Sequence, residues 1–329
     1  MDKTLYLIKA SRAILEKESP VLHLYRPHRF QLRNALNSLS CWSSSKDEKY
    51  FLFNGSHIMN NVPKNDVIFN MHPIQIVPGH SILNYATHSK EIVVVEDMTS
   101  LLVKAVIEKG NPHAVANALV IKLQQLHENC LKLVLTSKST YGMHYLLNNL
   151  KFPIQDVTFD EEWSSVCGYT EMELQRHILP KLKSHPFFYN QEDQHILSFL
   201  IQTVGGYNFG NEIVAHPTLT QQFTADPVSF LSGSFSLFSD YHLNYVKNLL
   251  NKQAFDSIWL TIHEESALKL NKTKLSDLSW LSHESTIGIK VLYDLGLLSP
   301  SKSNDGLIKF PNMFTRRYFD QKLVPYLKM

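Results

Sequence analysis

Apolar residues along this chain fall into short runs separated by longer stretches of helical period, the alternation expected of an α/β protein. The run Val21, Leu22, Leu24, Tyr25 stops at Pro27, after which Leu32, Leu36 and Leu39 follow at helical spacing. That pattern predicts a buried strand, a turn over Arg26 to Gln31, and a helix. Asp66 to Val77 reads as a second strand, bent or ended by Pro63, Pro73 and Pro78. The run Glu91 to Val95 is a third, ending in the acidic pair Glu96 and Asp97. Two helices should follow, the first stopped by Gly110 and the second opened by Asn111 and Pro112. Leu131 onward returns to a strand with a polar end at Thr136 to Thr140.

The second half reads mostly helical. Thr170 followed by Glu173 is a capping box opening a helix over 171–183. Ile213 to Gln222 is expected to be a hairpin strand, and His72-Pro73, His185-Pro186 and His216-Pro217 to be turns. Residues 235–281 have a helical pattern apart from the polar run Leu270 to Asp277. The tail predicts a helix, a strand, a turn at Asn304-Asp305-Gly306, a second strand and a last helix, a winged-helix-like unit or plain lid. Its charge would be Lys290, Lys302, Lys309, Arg316 and Arg317.

Composition narrows the classes. With 329 residues, 44% hydrophobic and 19% charged, the chain can bury a substantial core, and two domains are expected. The 32 basic and 30 acidic side chains leave a net charge of +2, so any nucleic-acid or anion site must be local. Cys41, Cys130 and Cys167 lack metal or disulfide spacing and fit free thiols in a reducing, cytoplasmic setting. The sixteen histidines include no HExxH or other tight ligand spacing. No apolar run approaches the ~20 residues of a membrane span.

Several segments, taken in order, resemble the bacterial AAA-ATPase-like family, whose members often carry a PD-(D/E)XK nuclease domain. RPHRFQLRNAL, from Arg26 to Leu36, is similar to its RPRRFGKS-type phosphate loop, and MDKTLYLIKA to its DKT opening. Cys167, Gly168, Tyr169, Thr170 and Glu173 match its F-G-F-T-x-x-E signature. Gly206, Tyr207 and Phe209 resemble Y-N-G-Y-x-F, while Asp226, Pro227, Ser229 and Leu231 resemble Y-N-P-x-S-V-L-x-F-L. Asn312 matches the I-P-N-x-E-V segment.

The resemblance implies a P-loop NTPase-like parallel sheet flanked by helices over residues 1–155. A mostly helical domain with the winged-helix-like unit would follow over 156–329, without the nuclease domain. It also implies a damaged site. Gln31 stands where the last loop glycine belongs, Leu32 where the lysine belongs and Arg33 where the Mg²⁺-binding hydroxyl belongs. A cationic Arg33 there would oppose the metal by about 3 kcal/mol per unit charge at ~5 Å and an effective dielectric near 20. The family's D-E-Y-D becomes Glu96, Asp97, Met98, Thr99, inverted and short of its second aspartate. Asp97 or Thr99 could instead cap the helix beginning near Ser100. Lys138 lies about two residues from the position where relatives bring a basic group toward the γ-phosphate.

The expectation is a catalytically inactive, ATPase-like protein acting through protein contacts, with no catalytic residue, metal or required cofactor. Arg26, His28, Arg29 and Arg33, with Glu96 and Asp97, form its degenerate nucleotide- or anion-binding set. Residual nucleotide binding with slow ATP and Mg²⁺ turnover, and a nucleic-acid-binding module, are the alternatives.

Overall fold

The computed structural model describes residues 17–26, 74–86, 91–158, 168–209, 212–233, 240–249, 268–269, 291–300 and 307–328. The loop residues His28, Arg29, Gln31, Leu32 and Arg33, the turn 304–306 and the N-terminal segment before Lys17 lie outside the described residues.

Five parallel strands form the central sheet. They are β1 (Val21–Tyr25), β2 (Ile74–Pro78), β3 (Ile92–Glu96), β4 (Lys132–Ser137) and β5 (Gln155–Asp156), in the order β2-β3-β4-β1-β5. Strand β1 pairs in register with β4 from Val21 opposite Leu133 to Tyr25 opposite Ser137. Alternation along the strands turns Val21, Val93, Val95, Leu133 and Leu135 into the main core. Leu22, Leu24, Val94 and Val134, on the opposite face, are fully buried as well. Burial on both faces explains why these strands read as nearly continuous apolar runs. The sheet is flanked by helices and is compatible with a P-loop-like fold.

Helices α1 (Ser100–Ile107) and α2 (Pro112–Asn129) follow β3. Asn111 opens α2 as predicted, its side chain accepting from the Ala114 amide, with Pro112 in the first turn. From α2, Leu119, Leu123 and Leu126 recur at helical spacing and bury against the sheet. Each such side chain contributes about 2 kcal/mol on burial. A short helix, α3 (Met143–Asn149), links β4 to β5.

In the second half, helix α4 spans residues 171–183 and opens on the predicted capping box. The Thr170 hydroxyl accepts from the Glu173 amide and the Glu173 carboxylate from the Thr170 amide. Leu174–Ile178 within it is a π-helical segment, and so is Phe319–Leu323 in the C-terminal helix over 313–328. Both stand one residue before the dipeptides Leu179-Pro180 and Val324-Pro325. A proline removes the i→i−4 bond and crowds the preceding turn, so local widening lets each helix continue past it.

Helices α5 (Asp193–Val204), α6 (Pro217–Ala225) and α7 (Pro227–Leu231) pack through an aromatic chain. Phe188 meets Phe223 at 6.0 Å, Phe223 meets Phe230 edge-on at 5.5 Å, and Phe230 stacks on Phe314 at 4.4 Å. The last contact joins α7 to the C-terminal helix.

Three expectations are corrected here. Only β7 (Glu212–Val214), paired antiparallel with β6 (Tyr207–Phe209), is strand in the segment read as a hairpin strand. From Pro217 the chain is helical, because the His216 ring accepts from the Leu219 amide and Pro217 is preset for a first helical turn. His185 likewise caps a short 3-10 turn, so these two His-Pro pairs start helical segments, while His72-Pro73 lies outside the described residues. Within the region read as helical, Leu268–Lys269 is a strand, β8. It pairs with β10 (Leu307–Lys309), which also pairs with β9 (Ser299–Pro300).

Candidate functional site

In a parallel sheet, ligands bind beyond the carboxyl ends of the strands, where neighbouring strands are not consecutive in sequence. Here β1 and β4 are such neighbours, with β3 on the far side of β4. The carboxyl edge therefore gathers Tyr25 and Arg26 at the end of β1, Glu96 and Asp97 at the end of β3, Ser137 to Thr140 at the end of β4, and Asp156 to Thr158 around β5.

Of the sequence-predicted residues, the sheet brings Arg26, Glu96 and Asp97 to this edge, although each is turned to an internal partner. Arg26 is buried, and its guanidinium donates to the carbonyls of Tyr25, at 2.8 Å, and Thr158. Its amide donates to the Ser137 carbonyl, extending the β1 to β4 pairing past the strand end. Arg26 thus ties β1 to the β5 end through one guanidinium nitrogen, Nη1, which donates to both carbonyls.

The acidic pair is also committed. The Glu96 carboxylate lies 3.5 Å from the Lys138 ammonium. Asp97 adopts a left-handed backbone conformation, φ 60°, which aspartate tolerates better than most residues. In that geometry its carboxylate accepts from the Thr99 hydroxyl at 2.9 Å and the Lys138 amide at 3.1 Å. Its own amide donates to the Thr136 hydroxyl at 3.0 Å. Burial pushes the Asp97 pKa upward, against the pull of Lys138 and these hydrogen bonds.

Helix α1 begins at Ser100 as expected, yet neither Asp97 nor Thr99 caps it through a side chain. Asp97 clamps the β3 end to the β4 end instead. Gly79, just after β2, completes the clamp: a Cβ there would lie 1.9 Å from the Asp97 carbonyl oxygen, so only glycine permits this approach.

A Mg²⁺ ion needs open carboxylate oxygens in near-octahedral geometry. One acidic group faces an ammonium and the other a hydroxyl and an amide, so this set does not fit the metal that the family resemblance implies. Among the described residues no group of three potential ligands stands together.

No local sequence pattern marks what stands in the β1/β4 crevice. Residues 291–294 form a helical turn whose Asp294 carboxylate enters the polar ends of both strands. It accepts from the Tyr25 hydroxyl at 2.6 Å, the Ser139 hydroxyl at 2.9 Å, the Thr140 amide at 3.0 Å and the Thr140 hydroxyl at 3.2 Å. Asp294 is 3% exposed, and burial raises its pKa to about 7 against the lowering effect of these donors. Tyr293 beside it stacks on Tyr25 with ring centroids 5.5 Å apart.

A second polar row crosses β4, β1 and β5. The His23 ring, fully buried in the middle of β1, has Nε2 3.0 Å from the Ser137 hydroxyl and Nδ1 3.5 Å from the Asp156 carboxylate. Burial alone would raise the Asp156 pKa, but His23 and Thr158 lower it to about 2. The order of groups is that of a hydrolase triad. Ser137 is only 1% exposed, however, so its hydroxyl is spent on a buried imidazole and the row serves as a cross-strand tie. The sequence signal for this row is His23, a polar residue inside the apolar run VLHLY.

The chain matches no family model, no curated protein and no solved structure.

Proposed function

We propose that this chain is a degenerate P-loop ATPase-like protein that does not hydrolyse Mg-ATP and acts through contacts with another protein. The observation that carries the reading is the internal commitment of both acidic groups at the end of β3. A hydrolytic site needs one carboxylate free to hold Mg²⁺ and another to orient the attacking water. Glu96 faces Lys138, and Asp97 is clamped by Thr99 and the Lys138 amide, so neither is disposed for that work. The sequence resemblance points the same way, because the lysine and hydroxyl of the phosphate loop are replaced by Leu32 and Arg33. What such a scaffold retains is its surface, and its role becomes one of protein contact or regulation. No helix among the described residues is long and apolar enough to cross a membrane.

A melting-temperature titration with ATP, ADP and GTP, with and without Mg²⁺, tests this reading. A ligand at 100 times its Kd adds about 2.7 kcal/mol of stability. The expected result is no shift at millimolar nucleotide and no phosphate release. A saturable, Mg²⁺-dependent shift accompanied by turnover overturns the reading.

A further inference from the structure

We propose that the crevice beyond the carboxyl ends of β1 and β4 is an oxyanion-binding site whose resident ligand is the chain's own Asp294 carboxylate, replaceable by a small carboxylate or a phosphate group when that side chain is withdrawn. Among the described residues, the donors to it come from one edge of the sheet, and the acceptor comes from a helical turn more than 150 residues after Thr140.

The donors serve both oxygens. Tyr25 and the Thr140 amide reach Oδ1, while Ser139, the Thr140 hydroxyl and the same amide reach Oδ2. Convergent hydroxyls and a backbone amide around one anion are the arrangement by which proteins hold carboxylates and phosphates.

A second observation shows that Asp294 does not exhaust the site. The Tyr293 hydroxyl is buried and has no hydrogen-bond partner among the described residues. It lies in the fields of Arg26, Asp294 and Asp156. A buried donor left over within the electrostatic reach of this carboxylate is a group that a tetrahedral anion, with more oxygens, would engage. The Asp294 side chain thus acts as a built-in plug, and the ligand class is a formate- or acetate-like carboxylate, or phosphate free or carried on a nucleotide. The inference uses neither Glu96 nor Asp97, so it can fail while the loss of hydrolysis holds, and the reverse.

The test is chemical rescue of Asp294→Ala, followed by thermal melting in formate, acetate, inorganic phosphate and ADP, with chloride at equal ionic strength as the control. The variant is expected to melt several degrees below the wild type in chloride. It should recover about half of that loss, saturably, at roughly 100 mM formate or phosphate. Wild type is expected to show no anion-specific shift. Adding Ser139→Ala and Thr140→Val to Asp294→Ala should abolish the recovery. ADP acting at lower concentration than phosphate assigns the anion to a nucleotide, and equal or weaker action assigns it to free phosphate; both support the site. If Asp294→Ala does not fold in chloride, the yield of refolded protein with and without formate gives the same reading. Recovery no greater in formate or phosphate than in chloride, or a wild type that responds equally, overturns the proposal.

Discussion

Two stations on the same sheet edge handle their carboxylates differently. At the end of β3, Asp97 is held by neighbours from the adjacent strand ends, Thr99 and Lys138, and its clamp is local. At the ends of β1 and β4, Asp294 arrives from the far half of the chain and is held by Tyr25, Ser139 and Thr140. The first station fastens two strands of one sheet. The second fastens the 291–294 turn onto that sheet and fills the crevice where a ligand would otherwise stand. The contrast separates a corner whose carboxylate is spent on bonds between neighbouring strand ends from one whose acceptor is supplied by a distant part of the chain.

The largest break in this comparison is expected from Asp294→Ala, which leaves buried donors from three residues without their acceptor. Each unsatisfied buried group costs ~1–3 kcal/mol. A loss of roughly 3 kcal/mol or more in urea unfolding is the expected outcome.

A valine at Asp97 comes next, because it removes the clamp and places a β-branched side chain at positive φ. The cost is expected to be about 2–3 kcal/mol, against ~1 kcal/mol for Asp97→Asn, which keeps an acceptor and tolerates the same backbone.

The pH dependence sharpens the contrast further. Asp294 has its pKa raised from 3.8 to about 7, so the native state binds a proton that the unfolded chain has released. Its contribution is therefore full below about pH 4 and is lost as pH rises through about 7, at no more than ~1.4 kcal/mol per pH unit. Among the described residues, Tyr25 donates to it, and Tyr293, its neighbour in sequence, carries the influence of Arg26 and Asp156 as well as of Asp294. Asp97, also raised, acts in the same sense. Asp156, lowered to about 2, acts in the opposite sense and only below about pH 4. Between pH 5 and 8 the stability of the wild type is expected to fall more steeply than that of Asp294→Asn, as read from urea midpoints.

The smallest effect belongs to Lys138→Met. That pair is 3.5 Å apart with the lysine side chain 39% exposed, and solvent screening holds its worth below about 1 kcal/mol.

Much of the sheet was legible because its signals are short-range. The run Val21 to Tyr25 is strand β1 to the residue, and Asn111-Pro112 and Thr170 to Glu173 open helices as their chemistry requires. The acidic pair after β3 was legible as a place, since a carboxylate at a buried strand end needs a partner, but its partners were not. Three physical reasons account for the misses. The Asp294 contact with Tyr25 spans 269 positions in sequence, and no local pattern encodes it. The two-residue strand β8 exists through its pairing with β10 and not through its own propensity. The helix at Pro217–Ala225 was hidden because His216 is seldom read as a cap, although Leu219 and Phe223 stand four apart on its buried face.

The central claim is that Asp294 is bound in the β1/β4 crevice as a ligand is bound, through specific donors and not merely by burial. A double-mutant cycle between Tyr25→Phe and Asp294→Asn measures that coupling, because Phe keeps the stacked ring and Asn keeps the shape while the hydrogen bond is lost. The account predicts a coupling energy of at least about 1 kcal/mol at pH 8, where the carboxylate is charged. Additive effects of the two substitutions, with no coupling, would contradict it.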